Sequence, residues 1–183
     1  MPCVQQSVAN FQMVPQPYDA LCWAAVALSV DNLNNPGRYQ ICDIVENTPP
    51  NPSPCCPDPS SSQCNHLAIL TPALQFVGRT GTQYCSPPDP ARPASMARKW
   101  QLIKDQIDAG CVVCAGIDWA FGGKHYVVIW GYEECKDDSG MVVSQTVYVQ
   151  DPYNDPSNPS YEKFVTNYRN KQGTCSELDT TQP

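Results

Sequence analysis

Eleven cysteines in 183 residues constrain this chain more than any other feature, because the number is both high and odd. Read as an oxidised protein, it divides into ten cysteines closing up to five disulfides and one thiol kept free for chemistry. Read as a reduced protein, the same residues are small buried thiols in a core. Cys55 and Cys56 favour the first reading: they are adjacent, sit among prolines with Cys64 close by, and occupy a stretch too polar to be core. The oxidised reading places the protein in a secreted or extracytoplasmic setting. The start Met1-Pro2-Cys3 lacks the charged region and apolar run of a secretory leader, so such a segment has been removed or export uses another route.

The length fits one domain with a substantial core of its own. Hydrophobic residues make up 42% and charged residues 16%, a balance that excludes a solvated disordered segment. The longest strongly apolar run, Ala24 to Val30, is far short of the roughly 20 residues that cross a bilayer. Eleven Lys and Arg against eighteen Asp and Glu give a net charge of −7 with no basic cluster, which makes nucleic acid and anionic membrane poor partners. Ten of the 19 prolines fall in two clusters, Pro49 to Pro59 and Pro87 to Pro93, and these read as loops because proline lacks the donor a ladder needs.

From Asp19 the sequence DALCWAAVALSVDNL is dense in alanine and leucine, with no proline or glycine until Pro36-Gly37. It predicts a helix apolar on nearly all sides and therefore central, with Asp19 as N-cap and Cys22 in the first turn. A short helix is expected over Ile41 to Glu46. Another follows in TPALQFVG, with Pro72 at a first helical position and Gly78 at the stop. MARKWQLIKDQIDAG predicts an amphipathic helix with Met96, Trp100, Ile103 and Ile107 on one face and Gly110 ending it. Beyond Gly110 the runs CVVCAGIDW, HYVVIWGYEE and MVVSQTVYVQD are β-branched and aromatic, separated by turn signals at Gly122-Gly123 and Lys136 to Gly140. They predict three antiparallel strands. The order is α+β: a single domain over 1–183, with a helical lobe over about 1–109, a strand lobe over about 110–183, and a cleft between the two.

A thiol attacks only as thiolate, so a catalytic cysteine needs help at neutral pH. The first turn of a helix supplies part of it and a nearby histidine the rest, through a thiolate–imidazolium pair. There are two histidines. His66, beside Cys64 in the proline-rich region, reads as structural or surface. His125 opens a strand just past a Gly-Gly-Lys turn, a rigid and accessible place. Asp151 ends the following strand in VYVQDPY, and antiparallel pairing brings it back beside the start of the His125 strand. There a carboxylate holds one imidazole tautomer and stabilises the imidazolium, although Asp-Pro also opens ordinary turns. Cys111-x-x-Cys114 lies in a strand, where positions three apart face opposite ways, so neither a redox pair nor a metal site is expected. Trp119, Phe121 and Trp130 flank the histidine strand and read as packing.

QPYDALCWAA, with Gln16 six residues before Cys22 and Trp23 directly after it, resembles the nucleophile segment of papain-like cysteine proteases; GGKHYVVIWGY is similar to their histidine strand and YVQDP to their orienting strand. The resemblance is to short bacterial members, which include secreted enzymes and effectors delivered into another cell, and runs from about Val14 to Tyr153. It implies a papain-like fold and a thiol endopeptidase acting on protein or peptide substrates as a monomer, with neither cofactor nor metal. Cys22 is then the nucleophile, His125 the base, Asp151 the orienting residue and Gln16 the oxyanion-hole donor beside the Cys22 amide. The long plant and lysosomal forms carry Cys-Gly-Ser-Cys-Trp and an asparagine as third member. Here Ala20-Leu21 precede Cys22, the third member is an aspartate, and only roughly 100 residues separate Cys22 from His125, which implies reduced specificity loops. Two other readings stand beside this one: acyl transfer on the same site, as in a transpeptidase, ligase or crosslinking toxin, and a silent disulfide-rich binding domain.

Overall fold

The computed structural model describes residues 2–50, 54–56, 58–79, 81–84, 91 and 93–181. Five helices occur among them: α1 (Cys22–Asn32), α2 (Ile41–Asn47), α3 (Leu70–Phe76), α4 (Pro93–Asp108) and α5 (Tyr161–Thr166). Six strands form one antiparallel sheet: β1 (Cys3–Ser7), β2 (Gln83–Tyr84), β3 (Val113–Trp119), β4 (Lys124–Lys136), β5 (Val142–Gln150) and β6 (Gly173–Thr180). The fold is mixed α+β, and the three predicted strands are β3, β4 and β5.

β4 organises the sheet. β3 pairs with its first half, Lys124 to Ile129; β1 pairs with its second half, Gly131 to Cys135; β5 lies along Val128 to Lys136. Where β1 and β5 both approach, a side chain would collide. A Cβ on Gly131 would lie 2.7 Å from the Tyr148 ring and 2.8 Å from the Gln6 carbonyl oxygen. β6 pairs with β3 and carries β2 on its outer edge. The sheet therefore draws β1 and β2 from the helical half of the sequence, and α5 comes from the strand-rich half.

The expected central helix is α1, buried from Cys22 to Asp31 and packed against α2, α3 and β4. Its apolar circumference is explained by having neighbours on every side, and Trp23, Ala24 and Val26 have no exposed surface. α4 buries Trp100, Ile103 and Ile107, with Met96 partly covered, as its 3.6-residue pattern predicts. Gly110 follows it with φ +78°, the left-handed stop that glycine adopts without strain. α3 starts at Leu70, so Pro72 lies inside its first turn, where its missing N–H costs nothing.

Two expectations need correction. Asp19 does not cap α1: Leu21 holds the N-cap position without a side-chain hydrogen bond, and Asp19 is exposed two residues upstream. The division into ten bonded cysteines and one free thiol also fails. Among the described residues there are three disulfides, Cys3–Cys135, Cys42–Cys56 and Cys55–Cys64, while Cys22, Cys111, Cys114 and Cys175 are all unbonded. Cys114 and Cys175 are core residues of β3 and β6, and Cys111 is buried just before β3. Burial pushes the Cys175 thiol up to about 12 and raises Cys111 and Cys114 as well, so these three are inert packing groups. Cys85 and most of the second proline cluster lie outside the described residues. Three disulfides fit an oxidising compartment, and no described helix is long and apolar enough to cross a membrane.

Candidate active site

Cys22 is the first residue of α1 and only 2% exposed. Its place is fixed by the segment before it and by the disulfide loop beside it. The Ala20 amide donates to Asn65 Oδ1 (3.0 Å), and Trp23 Nε1 donates to the carbonyl of His66 (3.0 Å). Asn65 and His66 directly follow Cys64, which is bonded to Cys55, and the Cys56 amide donates to Glu46 Oε1 (2.7 Å) on α2. The His66 ring lies tilted against Trp23 (5.7 Å between centroids), in keeping with a structural role. α1 has first-turn amides without intrahelical acceptors, which favour negative charge at Cys22.

His125 is the second residue of β4, held by the turn from Trp119 to Lys124, in which Gly122 and Gly123 have φ of +93° and +91°. Its Nε2–H donates to Asp151 Oδ1 at 2.8 Å, and Cys22 lies near enough to act on the ring. Burial alone would lower the His125 pKa, but the hydrogen bonds and charges of Asp151 and Cys22 outweigh it and raise it to about 9. His125 thus lies between the buried Asp151 carboxylate and the Cys22 side chain.

Asp151 follows the last residue of β5 and has no exposed side-chain surface. Burial would raise its pKa, yet the His125 hydrogen bond and charge, the Tyr153 amide (3.0 Å) and the Arg169 charge bring it down to about 2. The Asn154 amide and Nδ2 (both 3.1 Å), Tyr168 Oη (3.2 Å) and Arg169 Nε (3.1 Å) complete its shell. Asp-Pro here opens a turn and also fixes an imidazole; the two readings of Asp151 are one structure.

Gln16 reaches the same place. Its main-chain N–H donates to the Pro152 carbonyl (2.9 Å), tying the segment before Cys22 to the segment after Asp151. Its Nε2 gives one hydrogen to the Tyr18 carbonyl (2.9 Å), which leaves the other N–H available. A cavity of about 350 Å³ is lined by Gln16, Asp19, Trp119, His125, Tyr153, Asn154, Arg169 and Lys171. All four residues selected from the sequence, Gln16, Cys22, His125 and Asp151, therefore meet in one place.

Two participants, Tyr168 and Arg169, escape the sequence reading, and a third, Trp119, reads there as packing. Trp119 stacks on His125 and on Tyr168, with centroids 6.3 Å away in each case, and so covers the imidazole from one side. Gly173 makes room for it, since a Cβ there would lie 2.5 Å from the indole. Tyr168 and Arg169 reach Asp151 from the turn before β6, and their separation in sequence gives no signal of it. Phe121 is exposed and Trp130 packs near Tyr148 (6.0 Å), so neither joins the site. Among the described residues Cys42, Asp43 and Cys56 offer clustered metal-binding atoms, but the two sulfurs are bonded to each other.

Comparison with known proteins adds two findings. The Peptidase_C39-like family matches residues 59–176, well over half of the chain, a span that contains His125 and Asp151 and begins after Cys22. The fold is similar to that in the crystal structure of SERA5E from Plasmodium falciparum, with a TM-score of 0.51 and 12% identity over 97% of this chain and 93% of that one. No curated protein is significantly similar in sequence.

Proposed function

Because the chain belongs to the Peptidase_C39-like family, we propose that it is a papain-like thiol endopeptidase that hydrolyses peptide bonds through a thioester acyl-enzyme. The Cys22 thiolate attacks the substrate carbonyl carbon, and the electron pair of the C=O bond moves to oxygen. The Cys22 main-chain amide and the free N–H of Gln16 stabilise that oxyanion. The His125 imidazolium gives its proton to the leaving amine as the C–N bond breaks, leaving a thioester and a neutral imidazole. Water then attacks the thioester with His125 taking its proton, and the acid product and thiol are released. Asp151 keeps Nε2 of His125 occupied, so the other nitrogen faces the thiol. The protein works as a secreted monomer on protein or peptide substrates, a setting that three disulfides support.

The observation that carries this reading is the His125 ring, hydrogen-bonded to the buried Asp151 and with Cys22 beside it at a helix start. Iodoacetamide treatment of the native protein near pH 6, followed by mapping of the adduct, tests it. Cys22 is expected to label first and to lose this reactivity in His125→Ala, while Cys111, Cys114 and Cys175, whose thiols burial keeps protonated, label slowly. Slow, equal labelling of all four, with no hydrolysis of any peptide, would sink the proposal. Adding an amine and analysing the products separates hydrolysis from acyl transfer.

A further inference from the structure

The turn between α5 and β6 is built unusually. Tyr168 and Gly173 close it through the Tyr168 amide and the Gly173 carbonyl (2.8 Å), and within it Arg169, Asn170 and Gln172 have φ of 56°, 55° and 56°. Three residues with side chains in the left-handed region, where glycine is usual, mark a strained segment, and such strain persists only where the surroundings impose it. This turn brings Tyr168 and Arg169 to Asp151 and Lys171 to the cavity wall, and of these Arg169 is the cation on the carboxylate. Its Nε donates to Asp151 Oδ2 at 3.1 Å, on the carboxylate oxygen that His125 does not use, and its Nη2 donates to the Asp155 carbonyl. Its guanidinium lies over the Tyr168 ring, 5.4 Å from the centroid, and the Tyr168 hydroxyl donates to the same Oδ2.

We propose that Arg169 is a positioning residue of the catalytic pair, acting through Asp151: its guanidinium balances the buried carboxylate, so that Asp151 aligns His125 without holding the imidazolium proton too tightly for transfer to the leaving amine. This rests on the peptidase reading. Alignment alone does not require the guanidinium, because two main-chain amides, Asn154 Nδ2, Tyr168 and His125 already fix Asp151. What Arg169 alone adds to that shell is a permanent positive charge, and it adds it on the far side of the carboxylate from the imidazole. The other titratable groups near the pair are the Cys22 thiol from α1, Asp19 and Lys171 on the cavity wall, and Asp155 beyond Asp151. Lys124, next to His125 on β4, is paired with Asp118 and Glu177 instead.

The direction of the effect follows from charge. With the guanidinium gone, Asp151 attracts the imidazolium more strongly and a repelling cation is lost, so both changes raise the His125 pKa. Loosened packing would have the opposite sign, because a displaced Asp151 supports the imidazolium less. The chain has two histidines, so the His125 ring can be titrated by NMR in the full-length protein, without any substrate. In Arg169→Gln its midpoint is expected to move upward by about half a unit or more, while in Arg169→Lys, which keeps the charge, it stays close to wild type. With a peptide substrate, Arg169→Gln is expected to lower kcat about fivefold with KM within twofold. A midpoint that stays or falls in Arg169→Gln overturns the proposal, as does a raised KM with kcat unchanged, which would make Arg169 a substrate contact. If Arg169→Gln does not fold, the lysine variant decides: a midpoint well below wild type there shows a packing role. Failure of the peptidase reading is separate, seen as an absence of hydrolysis while the titration shift is present.

Discussion

Asp151, just past the end of β5, and Asp179, within β6, are both buried aspartates, yet their environments drive them in opposite directions. Asp151 sits at the end of β5 inside a ring of donors and has its pKa held down to about 2. Asp179, on β6 and 3% exposed, is raised to about 6 by burial and by the charge of Glu177, with Lys124 opposing only in part. Oδ2 of Asp179 and Oε1 of Glu177 have no hydrogen-bond partner, whereas each oxygen of Asp151 accepts several. Burial pushes both upward; the donors around Asp151 outweigh it, whereas at Asp179 it prevails and the Glu177 charge adds to it. The aspartate that stays ionised at any ordinary pH is the one beside His125.

The largest test of this contrast removes the imidazole. His125→Ala is expected to lower kcat/KM by about 10³-fold or more, while Asp179→Asn stays within about twofold of wild type. Equal losses would erase the distinction between the two carboxylates. Asp151→Asn should cost about 10- to 100-fold, less than the histidine because Nε2 keeps an acceptor. It should also move the alkaline limb of the activity profile, expected near the His125 pKa of about 9, toward lower pH. Stability sharpens the comparison through sign. Asp151 has a depressed pKa, so it stabilises the fold above the unfolded value of about 4, and this is lost as pH falls toward 2. Asp179 has a raised pKa, so its penalty is absent below about 4, grows up to about 6 and is complete above it. In thermal melts at pH 7.5, Asp151→Asn should lower Tm by several degrees and Asp179→Asn should raise it by about 2 to 4 °C, with the gain vanishing near pH 4. The smallest effect is local: Lys124→Gln should raise the Asp179 midpoint above about 6, seen in carboxyl carbon titration, and leave His125 unchanged.

Much of the site was legible because it depends on local rules. A glycine turn before His125 and an antiparallel return to Asp151 follow from strand periodicity, and an alanine-rich run places Cys22 at a helix start. The parts that were not legible are tertiary. Asp19 has the chemistry of an N-cap, but the chain turns through Tyr18 to Leu21 and begins the helix later, with the Leu21 amide bonded to the Tyr18 carbonyl. Odd-number reasoning about cysteines fails because Cys111, Cys114 and Cys175 fill core positions as small apolar residues would. β1 pairs with a strand more than a hundred residues away, and no short-range pattern announces it. Arg169 is an ordinary loop arginine until the left-handed turn aims it at Asp151.

The linked bridges Cys42–Cys56 and Cys55–Cys64 bear on how the protein should be handled. Reducing agents are the customary way to keep a reactive thiol from oxidising, yet in this molecule the same reagent can open the crosslinks that hold Asn65 and His66 against the start of α1. Activity is then expected to rise and fall with thiol concentration, with an optimum at mild reduction, so an assay run at a single strong dose would report an inactive protein.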